Sequence, residues 1–222
     1  MEKILVKNTV FVFDLDDTLY PEHTYETSGI QFVYNIISER IVGFKNYISL
    51  DYLLLNRHLW IDLIMKAIGG NHIVNKEELL ELYRGHTPKI KLYNDSELFL
   101  NKLKDLNADI ALITDGRSVA QRKKIEALNL HFYTNDFFIS EEIGYKKPSP
   151  QSFKLIMEKY PGLAYIYFGD NLKKDFIAPN KLGWQTICIL NRGQNIHEQN
   201  FETLVVYKPK ILIKSFNDLS LL

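Results

Sequence analysis

Thr9-Val10-Phe11-Val12-Phe13 is an unbroken run of β-branched and aromatic residues that stops at an aspartate, Asp14. Such a run has no face to offer to water, so it reads as a strand buried on both sides, as in the interior of a parallel sheet. Four similar runs follow, at residues 108–114 (ADIALIT), 137–140 (FFIS), 164–170 (AYIYFGD) and 185–190 (QTICIL), with Ile211-Leu212-Ile213 as a candidate sixth. Helical patterns separate them. Residues 96–106 place Leu100, Leu103 and Leu106 at helical spacing. Ser118 opens a second helix, with Gln121 three residues on as a capping box. Ser149-Pro150 opens a third, with serine as N-cap and proline at the first helical position. Strand and helix in alternation imply right-handed βαβ units, and hence an α/β fold with a Rossmann-like parallel sheet.

Residues 20–93 interrupt this order, because they contain no convincing strand. Residues 24–47 and 50–68 are long helical patterns, the second closed by Gly69-Gly70. Asn75, followed by Glu78, caps a third helix ending near Gly85. The expected organisation is an α/β core from residues 1–19 and 94–222, with an all-helical unit of residues 20–93 inserted after the first strand. A chain of 222 residues is long enough for both.

Lys and Arg number 27 and Asp and Glu number 27, for a formal net charge of +0. Proteins that hold nucleic acid polymers by bulk charge carry an excess of basic residues, so that class is excluded. Cys188 is the single cysteine, which rules out an intramolecular disulfide, and its apolar neighbours mark it as a buried hydrophobe. Acids interrupt the N-terminal apolar stretch by Asp14, so no signal peptide is read, and no apolar run reaches bilayer-spanning length. The expectation is a cytoplasmic protein with no membrane partner.

Ligands of open α/β sheets bind beyond the carboxyl ends of the strands. Four strand ends here carry or lead into polar residues. In Asp14-Leu15-Asp16-Asp17-Thr18, alternate residues of an extended segment point the same way, so Asp14 and Asp16 can face one site. Two carboxylates held together repel unless a cation or proton lies between them, and a hard divalent ion such as Mg²⁺ resolves this. One carboxylate could then act as nucleophile and the other move protons. Thr114-Asp115-Gly116 supplies a hydroxyl and backbone amides that could hold an anionic oxygen. Gly144-Tyr145-Lys146-Lys147-Pro148 places a lysine before a stiffened turn, where it could neutralise a phosphoryl group. Gly169-Asp170 with Asp175 adds two further acids for the same cation. Taken alone, the Thr114 segment reads as a helix N-cap and the Lys147 segment as a solvated loop, while the Asp14 and Asp170 segments are equally turns or caps; together, four complementary groups fall where one crevice would form.

This order of motifs resembles the haloacid dehalogenase-like hydrolase superfamily. The matching segments are FVFDLDDTLY (Asp14, Asp16, Thr18), ALITDG (Thr114), GYKKPSP (Lys147) and FGDNLKKD (Asp170, Asp175). The resemblance implies an aspartyl-phosphate on Asp14 and general acid/base work by Asp16. It also implies phosphoryl oxygens held by Thr114 and the amides around Asp115, and charge balance by Lys147 rather than Lys146. Mg²⁺ would be ligated by Asp14, the Asp16 carbonyl and Asp170, with Asp175 a supporting ligand or a partner of Lys147. The second aspartate distinguishes the family's phosphatases from its dehalogenases: an alkoxide leaving group needs a proton donor and a halide does not. The helical insert resembles the family's cap domain, hinged at Tyr20-Pro21 and near Leu92-Tyr93 and closing over a small phosphorylated metabolite, a sugar phosphate or nucleoside monophosphate. A phosphomutase of the same superfamily and a non-catalytic phospho-accepting module are the alternatives. A receiver-type module would place its Thr and Lys after all its acids, whereas Asp170 here follows Thr114 and Lys147.

Of the six histidines, His23, His58, His72 and His86 lie in the insert, where each reads as solvated or core-satisfied. Phe32, Tyr34, Tyr52 and Trp60 read as insert core. Pro179 predicts a late-starting helix after Asp175. The polar segment 191–200 reads as a mobile loop with a solvated Arg192.

Overall fold

A computed structural model describes residues 2–69, 74–202 and 204–222. Gly70 and His72 lie outside the described residues. The strands are β1 Glu2–Ile4, β2 Thr9–Phe13, β3 Asp109–Thr114, β4 Phe137–Ile139, β5 Ala164–Gly169, β6 Gln185–Ile189, β7 Ile211–Ile213 and β8 Leu219–Leu221. Six of them form one sheet in the order β4-β3-β2-β5-β6-β7, and every pairing is parallel. The sixth strand expected from the sequence is therefore present as β7. The pairing of β1 with β8 in a separate two-stranded parallel sheet was not legible, since three residues are too few to show a period.

All five residues of β2 are buried, and successive side chains go to opposite faces of the sheet. Phe11 and Phe13 join Ile110, Leu112, Ile166 and Phe168 in one apolar layer. Leu100 and Leu103 of α6 (Asn94–Asp105) and Ile125 of α7 (Ser118–Ala127) close this layer. The alternate set, Val10, Val12, Ala111, Ile113 and Tyr167, packs with Phe153 and Ile156 of α9 (Pro150–Lys159). Cys188 belongs to this second layer and is fully buried. Burying apolar side chains on both faces is what holds a parallel sheet, at roughly 1.5–3 kcal/mol for each large side chain removed from water.

The described residues of the insert contain no strand and form five α-helices, α1 Glu22–Arg40, α2 Phe44–Tyr47, α3 Leu50–Leu55, α4 Trp60–Ala67 and α5 Lys76–Gly85, followed by an irregular return to the core. Both long patterns are broken. The first stops at Arg40, and Gly43, at φ 79°, starts α2. The second is divided at Asn56 by a short 3-10 turn. Asn75 caps α5 as expected, its side chain accepting from the Glu78 amide at 2.8 Å. These helices have their own core, built on Ile30, Val33, Ile37, Leu53, Ile64 and Leu79. Tyr34 and Trp60 belong to it, whereas Phe32 and Tyr52 are exposed, contrary to the expectation for those two. The chain enters and leaves the insert side by side, the Tyr93 amide donating to the Leu19 carbonyl at 2.9 Å.

Ser149 caps α9 as expected. Ser118 does not cap α7: Arg117 occupies the cap position without a side-chain bond, and the Ser118 hydroxyl donates to Glu142. Pro179 lies in the first turn of the short α10 (Ile177–Lys181), where its missing N–H costs nothing. Among the described residues no helix is long and apolar enough to cross a membrane.

Candidate active site

The strands β3, β2 and β5 are neighbours, so their carboxyl ends bring Thr114, Asp14 and Asp170 together. The strand order reverses about β2, which makes this a topological switch point. A cavity there is lined by Asp14, Asp16, Glu22, Thr114, Asp115, Asp170, Lys174 and His197. Lys147 arrives on the segment between α8 (Ser140–Ile143) and α9.

The buried Lys147 ammonium is surrounded. It lies 2.8 Å from Asp14 Oδ1 and 2.8 Å from Asp175 Oδ1, and it donates to the Tyr167 hydroxyl at 3.0 Å. Tyr167 in turn donates to Asp175 Oδ1 at 3.1 Å. Burial disfavours the ammonium, but Asp14 and Asp175 outweigh it and hold Lys147 well above its ordinary value. Lys146 is exposed, so the choice between the adjacent lysines made from the proline spacing agrees with their placement.

Asp14, Asp170 and Asp175 each present a carboxylate oxygen within 4.8 Å of the others, and all three are buried. Their electrostatics separate them. Burial would raise Asp175, but Lys147 and Lys174 hold it below the ordinary range. Its Oδ2 also accepts from the Asp170 and Asn171 amides at 3.2 and 2.9 Å, so both of its oxygens are engaged by protein donors. Asp14 is pushed up to about 6 by burial, with Lys147 opposing. Asp170 stands well above its ordinary value through burial, then through Asp175 and Asp14. One shared ammonium thus serves both Asp14 and Asp175, and Asp170 has no cationic partner among the described residues, so the three carboxylates carry more negative charge than Lys147 balances. Among the described residues no protein donor reaches Asp14 Oδ2 or Asp170 Oδ1. A buried pair of this kind has the charge and the hard oxygen donors that suit a small divalent cation.

Asp16 does not share this cluster through its side chain. Its Oδ1 accepts from Lys124 Nζ at 2.6 Å and from the Tyr20 hydroxyl, and its Oδ2 from Gln121 Nε2 at 3.3 Å. Burial favours a raised value, but Lys124 prevails and Asp16 is held below the ordinary range. Both oxygens of the Asp16 side chain, expected near the metal, are thus engaged by protein donors. Lys124 itself is buried and lies 4.3 Å over the Tyr25 ring of the insert. Gln121, expected in a capping box, serves instead to bridge Asp16 and the Asp115 carbonyl.

Thr114 is buried, and its hydroxyl has no hydrogen-bond partner among the described residues; Thr18 of the first motif is in the same position. Asp115 accepts from the Lys147 amide at 3.1 Å and lies 3.7 Å from Lys174, so its carboxylate orders the lysine segment. Asp17, which the sequence did not single out, is buried at φ 53° and accepts from the Glu22 amide at 2.9 Å and the Ile196 amide at 2.7 Å. It joins the first motif to α1 and to the segment 191–200.

His58 is exposed, as expected of a solvated histidine; His86 is buried, with its Nδ1 bonded to the Tyr83 carbonyl but its Nε2 without a partner among the described residues, so it is only half satisfied. His23 is half-buried with an unpartnered Nδ1. The histidine lining the cavity is His197, from outside the insert. Arg192 is not solvated: it makes a two-pronged pair with Asp95 at 2.7 and 3.0 Å and lies 4.0 Å over the Tyr93 ring.

Two of the missed residues did leave a signal. Lys124 falls at helical spacing with Gln121, Ile125 and Leu128 on the inward face of α7, where a lysine needs a partner. Tyr167 sits inside a strand buried from Tyr165 onward, where its hydroxyl needs one.

The sequence profile described as haloacid dehalogenase-like hydrolase matches residues 9–183. The chain belongs to the haloacid dehalogenase-like hydrolases. Within that family it is 29% identical over 208 residues to a glyceraldehyde 3-phosphate phosphatase of Methanopyrus kandleri, covering 82% of this chain and 84% of the relative. It is 27% identical to a pyrimidine 5'-nucleotidase of Escherichia coli, covering 81% and 84%. The magnesium-bound orthorhombic form of Bacillus subtilis YfnB superposes with a TM-score of 0.65 at 16% identity, over 95% of this chain and 96% of that one. That likeness establishes the shared fold of this haloacid dehalogenase-like hydrolase.

Proposed function

We propose that this hydrolase is a Mg²⁺-dependent phosphatase that cleaves a small phosphomonoester, a sugar phosphate or a nucleoside monophosphate, through an aspartyl-phosphate on Asp14. The observation that carries the reading is the crowding of carboxylates at the crevice: Asp14, Asp170 and Asp175 present oxygens within 4.8 Å of one another, and Lys147, shared by Asp14 and Asp175, leaves Asp170 without a cationic partner among the described residues. Relatives named as phosphatases and a nucleotidase support the reaction class. In the proposed division, residues 20–93 form the cap and residues 1–19 with 94–222 the core.

Asp14, Asp170 and the Asp16 carbonyl would hold the ion, which supplies Lewis-acid neutralisation of the phosphoryl oxygens when bound. Asp14 is the nucleophile, its carboxylate oriented by the contacts of Oδ1 with Lys147 and with the Leu15 amide at 2.8 Å. As a carboxylate oxygen of Asp14 bonds to phosphorus, the ester oxygen leaves and takes a proton from Asp16. Water then attacks the aspartyl-phosphate, Asp16 accepts its proton, and inorganic phosphate and free Asp14 result. Held ionised by Lys124, Asp16 is set for the second step; the first requires it protonated and out of that contact. Thr114 Oγ1 donates to a phosphoryl oxygen. Lys147 contributes charge rather than a free N–H, since it already has three acceptors. Such charge neutralisation and positioning make up most of phosphoryl-transfer catalysis.

The test is phosphate release from a panel of phosphorylated metabolites with Mg²⁺, by the native chain and by Asp14→Asn. Turnover on some phosphomonoester is expected, falling to background in the variant. No hydrolysis of any substrate, or retained turnover in Asp14→Asn, overturns the assignment.

A further inference from the structure

The segment 191–200 is polar apart from Ile196, yet it is docked against the crevice by three of its own groups. Asn195 Nδ2 donates to Asp170 Oδ2 at 3.0 Å, Gln199 Nε2 to the Asp170 carbonyl at 2.8 Å, and the Ile196 amide to Asp17 Oδ2 at 2.7 Å. The segment also carries its own frame. Gln199 Oε1 accepts from the Asn191 amide at 2.8 Å, and Asn191 Oδ1 accepts from the Gly193 amide at 2.7 Å. Arg192 fixes one end through its fork on Asp95, an acid in the first turn of α6 that also accepts from the Ser215 hydroxyl at 2.7 Å and the Phe216 amide at 2.9 Å. The loop is thus braced on the core, and Asn195 reaches out from it to Asp170.

We propose that Asn195 is a positioning residue for the Asp170 carboxylate. This rests on the metal reading given above. The carboxylate has one torsion that sets which oxygen faces Asp14. Asn195 engages Oδ2, fixing that torsion and leaving Oδ1 for the cation. A ligand oriented in advance need not be ordered when the ion binds, and partners of this outer kind typically change metal affinity by about 10- to 100-fold when removed. The Arg192–Asp95 pair acts one step further back, holding the loop from which Asn195 projects.

The experiment measures free Mn²⁺ by electron paramagnetic resonance while the ion is titrated into substrate-free protein, for the native chain and Asn195→Ala. Circular dichroism of the metal-free proteins checks that the half-buried Asn195 can be shortened without loss of fold. Expected is tight binding by the native chain and affinity about 10- to 100-fold weaker in the variant. Equal affinities in two folded proteins overturn the role of Asn195 while leaving the metal site standing. No binding by the native chain overturns the metal reading, and this inference with it.

Discussion

Replacing Thr114 by valine separates folding from chemistry. The threonine is buried at the end of β3, paired across the ladder with Ile139, and its hydroxyl has no partner among the described residues. Valine has the same branched shape and the same preference for a strand, so no cavity opens and no rotamer is lost. What changes is the desolvated hydroxyl. An unsatisfied buried polar group costs about 1–3 kcal/mol, so its replacement by a methyl should stabilise the fold by about 1 kcal/mol. In a chain of this size that is a rise of roughly 2–4 °C in melting temperature. The same change removes the donor to a phosphoryl oxygen, and loss of one such donor typically lowers kcat by about 10²- to 10³-fold. Thermal unfolding without metal and phosphate release with Mg²⁺ read the two effects separately. A variant that melts several degrees lower would show that the hydroxyl is satisfied within the folded chain. A more stable variant with unchanged turnover would remove Thr114 from phosphoryl binding.

Two further substitutions test the charge network. Lys147→Met strips the counterion from buried Asp14 and Asp175 and should cost about 3–5 kcal/mol in urea unfolding, whereas the exposed Lys146→Met should stay within about 0.5 kcal/mol of the native chain; equal effects would contradict the burial of Lys147. Burial would raise Asp95, but hydrogen bonds from Arg192, Ser215 and Phe216 outweigh it and hold it below the ordinary carboxylate range. Its contribution is therefore complete above the unfolded value near 3.9 and lost as pH falls through the lower folded value. The native chain's advantage over Asp95→Asn in urea midpoint should be constant from pH 7 to 5 and shrink below about 4; an advantage that grows in acid would reverse the sign of the argument.

The parts of the fold set by local pattern were legible. Buried strands announce themselves by continuous apolar runs, and all five long runs, with Ile211-Leu212-Ile213, became strands of one parallel sheet. The break in strand alternation after Tyr20 marked the helical insert, although the bend at Gly43 and the turn at Asn56 were hidden because helical periodicity continues across them. Asp14, Thr114 and Asp170 were nameable because strand ends are local features and each carries its own polar residue, whereas Lys147, between α8 and α9, and Asp175, past the end of β5, were named from the segments GYKKPSP and FGDNLKKD.

The chain's own order of residues thus determines the elements and puts the reactive side chains at their tips. Only the tertiary structure decides which of those side chains meet. Asp16 and Lys124, Asp95 and Arg192, and Asp170 and Asn195 are far apart in sequence and paired in space. Their pairing depends on strand order, on which face of α7 turns inward, and on where the loop after β6 comes to rest. A carboxylate's charge state follows from those neighbours and from its burial, which the residue's identity does not contain. The same letter, aspartate, is therefore held ionised at 16 and 175 and pushed up at 14 and 170.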